Sequence, residues 1–323
     1  MAARNETIPA APYSYRPPSP PFIHIPVVQR DQTELCHPLD LMPSYEHVDP
    51  AELTSNDITI ITRNVVQIAT DRAATWYYEQ RREAQSILDF LYLGPTAIIR
   101  NHDFLRDEGI TLVMVVRDAR QASRTLASVD KATAALGIPA VYLDIQSPFH
   151  LVGIFPDMIR QINRHLLDVY HGQAQGKDET GQVFVKSDNF RHGRVLVTCE
   201  TGNDRSAAVV AAYIMAMFRK DMVTTLQFIN VQRFCCGFDE DLKRALFSWQ
   251  DIVRAQSAVI MDSRFQKTSQ AQGRPAASKS DTKRRLDDMM DDYVDGHGAA
   301  ADSATDRERF SGREAFVPFM DVA

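Results

Sequence analysis

Four short strand-like runs, "ILDFLYLG", "ITLVMVV", "AVYLDI" and "RVLVTC", recur between Ile87 and Cys199 with helix-length segments separating them. The run "ITLVMVV" is apolar at every position and β-branched in character, so such a strand must be covered on both faces. Helical spacers return the chain so that successive strands run parallel. The pattern predicts a single α/β domain with a mostly parallel central sheet flanked by helices.

The spacers are read as follows. Between about Asp57 and Gln85 one or two helices are expected, the second over "DRAATWYYEQRREAQ", where aromatics at neighbouring positions suit packing against the domain. "ILDFLYLG" is then a short strand ended by Gly94-Pro95. "IIRNHDFLRDEG" is amphipathic with Gly109 placed to cap it, "QASRTLASVDKATAALG" is helical, and "FPDMIRQINRHLLDVYHG" is a third helix. A polar insertion, "GQAQGKDETGQVFVKSDNFRHG", precedes the strand "RVLVTC". Helices near 205–219, 221–233 and 239–258 follow it.

Outside this region the composition changes. Residues 1–50 hold ten of the sixteen prolines and read as an extended arm, in which "RPPSPPFIHIP" is a solvated tail or a polyproline docking segment. From about Ser263 the chain turns polar and aperiodic, and "KSDTKRRLDDMMDD" reads as a solvated charge run, a weak nuclear signal or a partner-binding tail. The expected organisation is an arm over 1–55, a domain over 56–262 and a tail over 263–323. A formal charge of -6 gives no reason to expect nucleic-acid binding, and no apolar run is long enough to span a membrane. No leader-like apolar region opens the chain. Four scattered cysteines (Cys36, Cys199, Cys235 and Cys236) do not make a disulfide scaffold. A soluble protein of a reducing, intracellular compartment is expected.

The segment "VLVTCETGNDRSAAVVAAYIM" places one cysteine where a strand meets a helix. A turn of this kind converges backbone N–H groups on one point and adds the partial positive charge of a helix N-terminus. Gly202 supplies unusual dihedrals, and Arg205 offers a planar fork to two phosphate oxygens. The same field favours a Cys199 thiolate as nucleophile, and Ser206 is placed to hydrogen-bond the sulfur. The candidate phosphate-binding loop is therefore Cys199, Glu200, Thr201, Gly202, Asn203, Asp204, Arg205 and Ser206, with Cys199, Arg205 and Asp204 as candidate catalytic residues. A buried cysteine beside a surface arginine is the plain structural alternative.

"TCETGNDRSAAVVAAYIM" resembles the HCxxGxxRS signature of the cysteine-dependent protein phosphatases, specifically the dual-specificity group. "RREAQSILDFLYLGP", "YLDI" leading to "FP", "GRVLV…DRSAA…AYIM" and "VQRFC" are most similar to the STYX subgroup, the serine/threonine/tyrosine-interacting pseudophosphatases. The resemblance covers roughly residues 80–258. It implies a phosphotyrosine-phosphatase-like fold, no metal or organic cofactor, and phosphorylated proteins as partners. By resemblance only, it also implies an F-box ubiquitin-ligase adaptor or a mitogen-activated kinase as partner, in cytoplasm and nucleus.

The chain also departs from that pattern. Pseudophosphatases of the subgroup typically lack the cysteine, which this chain keeps. The histidine that normally precedes it is Thr198, and the Pro-Asn segment usual after "VQRFC" is missing. Glu200 and Asp204 bring negative charge to an anion loop; a full charge about 7 Å from a phosphate costs roughly 2 kcal/mol at an effective dielectric near 20. No acid lies between Ile145 and Pro156, where the general acid is expected, and Asp144 belongs to the preceding strand. His150 is a possible donor there or a surface residue of the loop. C-x4-D-R loops of the myotubularin and Sac phosphoinositide phosphatases carry a candidate acid at the Asp204 position. Two classes stay open: a STYX-like binding protein with weak or absent turnover, and an active phosphatase with a phosphocysteine intermediate. Vicinal Cys235 and Cys236 read as packed thiols or as a redox partner for Cys199.

Overall fold

The computed structural model describes residues 21–26, 39–44, 52–70, 72, 75–173, 176–177, 183–184 and 190–271. In chain order the elements are β1 (Asp40–Leu41), α1 (Ser55–Thr62), β2 (Gln67–Ile68), β3 (Gln85–Leu88), β4 (Leu91–Pro95), α2 (His102–Asp107), β5 (Leu112–Asp118), α3 (Ala127–Leu136), β6 (Ala140–Ile145), α4 (His150–Gly172), β7 (Gly176–Lys177), β8 (Val183–Phe184), β9 (Val195–Cys199), α5 (Arg205–Phe218), α6 (Met222–Gln232) and α7 (Glu240–Ala271). The main sheet has the order β3-β4-β9-β5-β6; all neighbours run parallel except β3, which is antiparallel to β4. The expected α/β architecture is the observed one.

Strand alternation divides the core in two. On one face Leu91, Leu93, Met114, Val116, Val195, Val197 and Cys199 pack against α4, α5, α6 and α7. On the other, Tyr92, Val113, Val115 and Leu196 meet Leu105, Val129 and Ala132 of α2 and α3. Helix α5 is the central one: twelve of its fourteen residues are buried. Tyr213 in its middle donates from its hydroxyl to Asn163 Oδ1 of α4 at 2.8 Å. Full burial raises the tyrosine far above its ordinary range, so this hydroxyl stays a donor. No helix among the described residues is long and apolar enough to cross a membrane.

Several elements differ from expectation. The helix over "DRAATWYYEQRREAQ" is replaced by a short 3-10 turn, Tyr78–Arg82, and Gln85 already belongs to β3. The carbonyls that would close the helix are taken elsewhere, since Arg81 O and Glu83 O both accept from the guanidinium of Arg233. "ILDFLYLG" is a hairpin and not one strand: Asp89 and Phe90 turn the chain between β3 and β4. "IIRNHDFLRDEG" splits into a 3-10 turn, Thr96–Arg100, and α2, because the Asn101 side chain caps Phe104 N–H and starts a new helix. Helix α3 begins at Ala127 instead of Gln121. Gly109 takes positive φ at a helix end as expected, and Gly137 does the same at the end of α3.

Helix α4 begins five residues earlier than Phe155. Ser147, Pro148 and Phe149 supply the carbonyls for its first turn, and Pro156 sits inside it. The segment expected as a long loop after β6 is therefore short. Helix α7 continues to Ala271, past the expected end near 258.

Part of the N-terminal arm is packed on the domain, a correction to the boundary near residue 55. Leu41 is fully buried in the core, Ile23 N–H donates to Glu240, and Lys243 Nζ donates to Ile23 O. The apolar residues in "PFIHIP" give this stretch a reason to dock. The expected tail beyond residue 271 and most of the polar insertion lie outside the described residues.

Candidate functional site

The parallel register brings Cys199 opposite Pro95 at the carboxyl edge of the sheet, with α5 starting six residues later. Thr198 points to the other face and is tied to its neighbours: its Oγ1 donates to Met114 O at 3.3 Å, while Thr96 Oγ1 donates to Cys199 O at 2.9 Å. These bonds hold the strand end where a histidine was expected to do so.

The loop from Cys199 to Arg205 turns around the sulfur. Gly202 N–H donates to Sγ at 3.2 Å, and Ser206 Oγ donates to it at 3.0 Å. Gly202 has φ +75, and a Cβ there would lie 2.3 Å from the carbonyl carbon of Gly94. The loop thus rests directly on the β4 backbone and admits only glycine at this point.

The two acids part company. Glu200 is exposed to solvent. Asp204 folds inward: its Oδ1 accepts from Arg205 N–H at 2.7 Å, from Cys199 Sγ at 2.9 Å and from Thr201 Oγ1 at 3.4 Å. Asn203 faces the other way, its Oδ1 accepting from Arg233 Nη2 at 3.0 Å and from Cys235 Sγ at 3.1 Å.

Arg233, which sequence reasoning passed over inside "VQRFC", is the support beneath this loop. It is fully buried, and its guanidinium donates to Gly202 O, Thr201 O, Asn203 Oδ1, Arg81 O, Glu83 O and Gln85 Oε1. By drawing loop carbonyls outward it leaves Gly202 N–H free to point inward, the polarity an anion cradle needs. The only sequence signal was an arginine inside the apolar stretch "FINVQRFCCGF", where a buried charge must find partners.

Other candidates have partners or surroundings of their own. Asp144 is committed to an ion pair with Arg117, whose Nε lies 2.5 Å from its Oδ1 and whose guanidinium stacks over Tyr142 at 4.1 Å. His150 is exposed at the start of α4, where its Nδ1 accepts from Gln146 N–H at 3.3 Å. Burial raises the thiols of both Cys235 and Cys236, Cys236 far beyond the usual range. They are packed thiols, and Cys199, Cys235 and Cys236 are all free. Asp118, at the end of β5, is held well below the usual carboxylate range by the hydrogen bonds of Arg120, with Arg205 adding to the effect.

The Arg205 side chain has no hydrogen-bond or ion-pair partner among the described residues, so it is available to a ligand. Arg205→Ala is expected to lower affinity for sulfate by roughly 1.5–3 kcal/mol, about ten- to a hundredfold, as titration calorimetry would read it. Unchanged affinity would take the loop out of anion binding.

A family profile described as the dual specificity phosphatase catalytic domain matches residues 179–252, which include β9, the loop and α5. The Xenopus laevis serine/threonine/tyrosine-interacting protein B is 26% identical over 227 residues, covering 68% of this chain and 88% of that protein. The Homo sapiens serine/threonine/tyrosine-interacting protein is 26% identical over 196 residues, covering 60% of this chain and 76% of that one. The crystal structure of the human tyrosine phosphatase-like serine/threonine/tyrosine-interacting protein aligns with a TM-score of 0.38 at 24% identity, over 53% of this chain and 97% of that chain. Residues 179–252 are thus similar to the dual specificity phosphatase catalytic domain, and the chain is similar over most of its length to the serine/threonine/tyrosine-interacting proteins.

Proposed function

We propose that this protein binds phosphorylated or phosphate-mimicking protein partners through the Cys199–Arg205 loop, with weak or absent turnover. The observation that carries this reading is the Asp204 carboxyl against the Cys199 sulfur at 2.9 Å. In this contact the sulfur donates to the carboxyl and faces its negative charge, which opposes attack on an anionic phosphate ester. The strand-end acid is absent as well, because Asp144 is spent on Arg117 and residues 146–149 carry no carboxylate. Loss of general-acid help costs typically 10²–10⁴-fold. The relatives are named for interaction, which supports partner binding; signalling or ubiquitin-ligase partners in cytoplasm and nucleus belong to the proposal by resemblance alone.

A second reading rests on the same contact. An active phosphatase, acting on proteins or phosphoinositides, would use Asp204 as its acid, since the carboxyl already lies beside the sulfur. An activated aryl phosphate separates the two, because its leaving group needs little help. The expected result is no turnover above that of Cys199→Ser. Turnover lost on Cys199→Ser would overturn the binding reading. Asp204→Asn should then slow alkyl phosphates far more than aryl ones if Asp204 is the acid.

The same pair makes a prediction about reactivity. Asp204→Asn removes a full charge from beside the sulfur and is expected to speed alkylation of Cys199 by iodoacetamide about tenfold or more. Glu200→Gln, at a solvent-exposed position, should leave the rate unchanged. Equal rates for all three proteins would mean that the Asp204 charge does not control the thiol.

A further inference from the structure

We infer that Asp204 is the residue that sets which charge state of a ligand the loop accepts: an oxyanion enters with one proton, carried on itself or taken up by Asp204. The inference rests on the reading of the loop as an anion site and adds ligand selection to it.

One carboxylate oxygen gathers three donors, Arg205 N–H, Cys199 Sγ–H and Thr201 Oγ1–H. Meeting several loop donors at one point is the task of a bound phosphate oxygen. The loop is therefore occupied by its own anion. The Asp204 backbone, at φ -121 and ψ -86, folds the side chain back onto the N–H of the very next residue. It holds the carboxylate over the sulfur instead of releasing it to solvent.

The groups around Asp204 fix its charge balance. From β9 comes Cys199, and from α5 comes Arg205. The stretch after α6 contributes Arg233 and Cys236, a thiol whose titration burial pushes far up. Asp118, from the end of β5, acts on Arg205 and is itself held ionised by Arg120. Glu200 of the loop is exposed to solvent. Arg233 is a cation whose donors are already committed to six oxygens. Arg205 is thus a cation left for a ligand, and the Asp204 carboxylate beside it in the loop offsets its charge without pairing its side chain.

A dianion added to this balanced pair leaves two excess negative charges, with an anionic carboxylate at the ligand's place. One proton halves the excess and turns Asp204 from a competitor into a donor. Because the complex then binds one proton more than the free protein, affinity rises as pH falls. Uptake of one proton with the ligand corresponds to a slope of about tenfold per pH unit.

Sulfate tests this cleanly, because it stays a dianion between pH 5.5 and 8 and its own protonation does not intrude. The full chain carrying Cys199→Ser removes the thiol proton from the measurement while keeping a hydroxyl to face Asp204. Calorimetric titration is expected to show sulfate weakening about tenfold per pH unit over part of this range. Adding Asp204→Asn, whose Oδ1 still accepts from Arg205 N–H, should flatten the profile and tighten sulfate at pH 7.5 by about tenfold or more. Matched thermal melts would show that both variants are folded. Flat profiles of equal affinity would make Asp204 a helix cap only, with the anion-binding reading intact. A slope that persists in Asp204→Asn would assign the proton to another group and overturn the inference. Sulfate bound by neither protein at any pH would remove the anion site itself.

Discussion

Arg233→Met is expected to lower the midpoint of thermal unfolding by about 10 °C and to abolish most anion affinity at once. The wild-type guanidinium is fully buried and serves six oxygens from two separate stretches of chain. Methionine fills much of the volume but donates nothing. The carbonyls of Arg81, Glu83 and Gly202 would be left without this partner where water does not reach easily. Each orphaned buried group costs about 1–3 kcal/mol, and losing one side of a buried charged network costs roughly 3–5 kcal/mol. For a domain of this size a kilocalorie is worth about 2–4 °C. Arg233→Lys should rescue only part of the loss, because one ammonium has three donors and no planar fork. A midpoint within 2 °C of wild type by circular dichroism would show that the network is dispensable.

Gly202→Ala is expected to cost several kcal/mol of stability and to cut sulfate affinity at least tenfold. Two penalties combine. A residue with a Cβ at φ +75 loses about 1–2 kcal/mol relative to glycine. The Cβ would also stand 2.3 Å from Gly94 C and 2.4 Å from Pro95 N, which are backbone atoms of a central strand and cannot rotate aside. Overpacking of that kind costs about 1–3 kcal/mol. Gly94 is pinned from its other side, since a Cβ on it would lie 2.6 Å from Ala84 Cβ. The loop, not the sheet, must therefore move, and the N–H of residue 202 leaves the sulfur. Urea melts and sulfate titration on the same protein would read both effects; a variant with wild-type values would mean the loop has room that these distances deny.

The sheet was legible because its signal is local. "ITLVMVV" and "RVLVTC" cannot be placed with one face in water, so their burial and parallel pairing follow from composition and spacing. The cysteine turn was legible for the same reason, since residue types and strand–helix context coincide within eleven residues. What the sequence hid depends on partners far along the chain. The 3-10 turn at Tyr78–Arg82 exists because Arg233, some 150 positions later, takes the carbonyls a helix would use. The β3–β4 hairpin was hidden because Asp89-Phe90 turns inside an apolar run without glycine or proline. The different surroundings of Glu200 and Asp204 are set by loop dihedrals, and both residues have the same charge. Nothing in their identity distinguishes the inward acid from the exposed one.

The Arg233 network also fixes when the site can exist. Its bonds to the loop and to Arg81–Gln85 span separations of about 30 and 150 residues. Closing contacts across such distances requires both ends of the domain to have met. The strand–cysteine–helix segment can therefore carry its full motif on a nascent or partly opened chain and still lack a cradle. Opening of the Tyr78–Gln85 stretch alone would free the arginine and let the loop carbonyls turn back, dissolving the site while most of the sheet stays zipped. The lifetime of the pocket is then set by the weaker of two stretches of chain tied to one guanidinium, and not by the residues that line it.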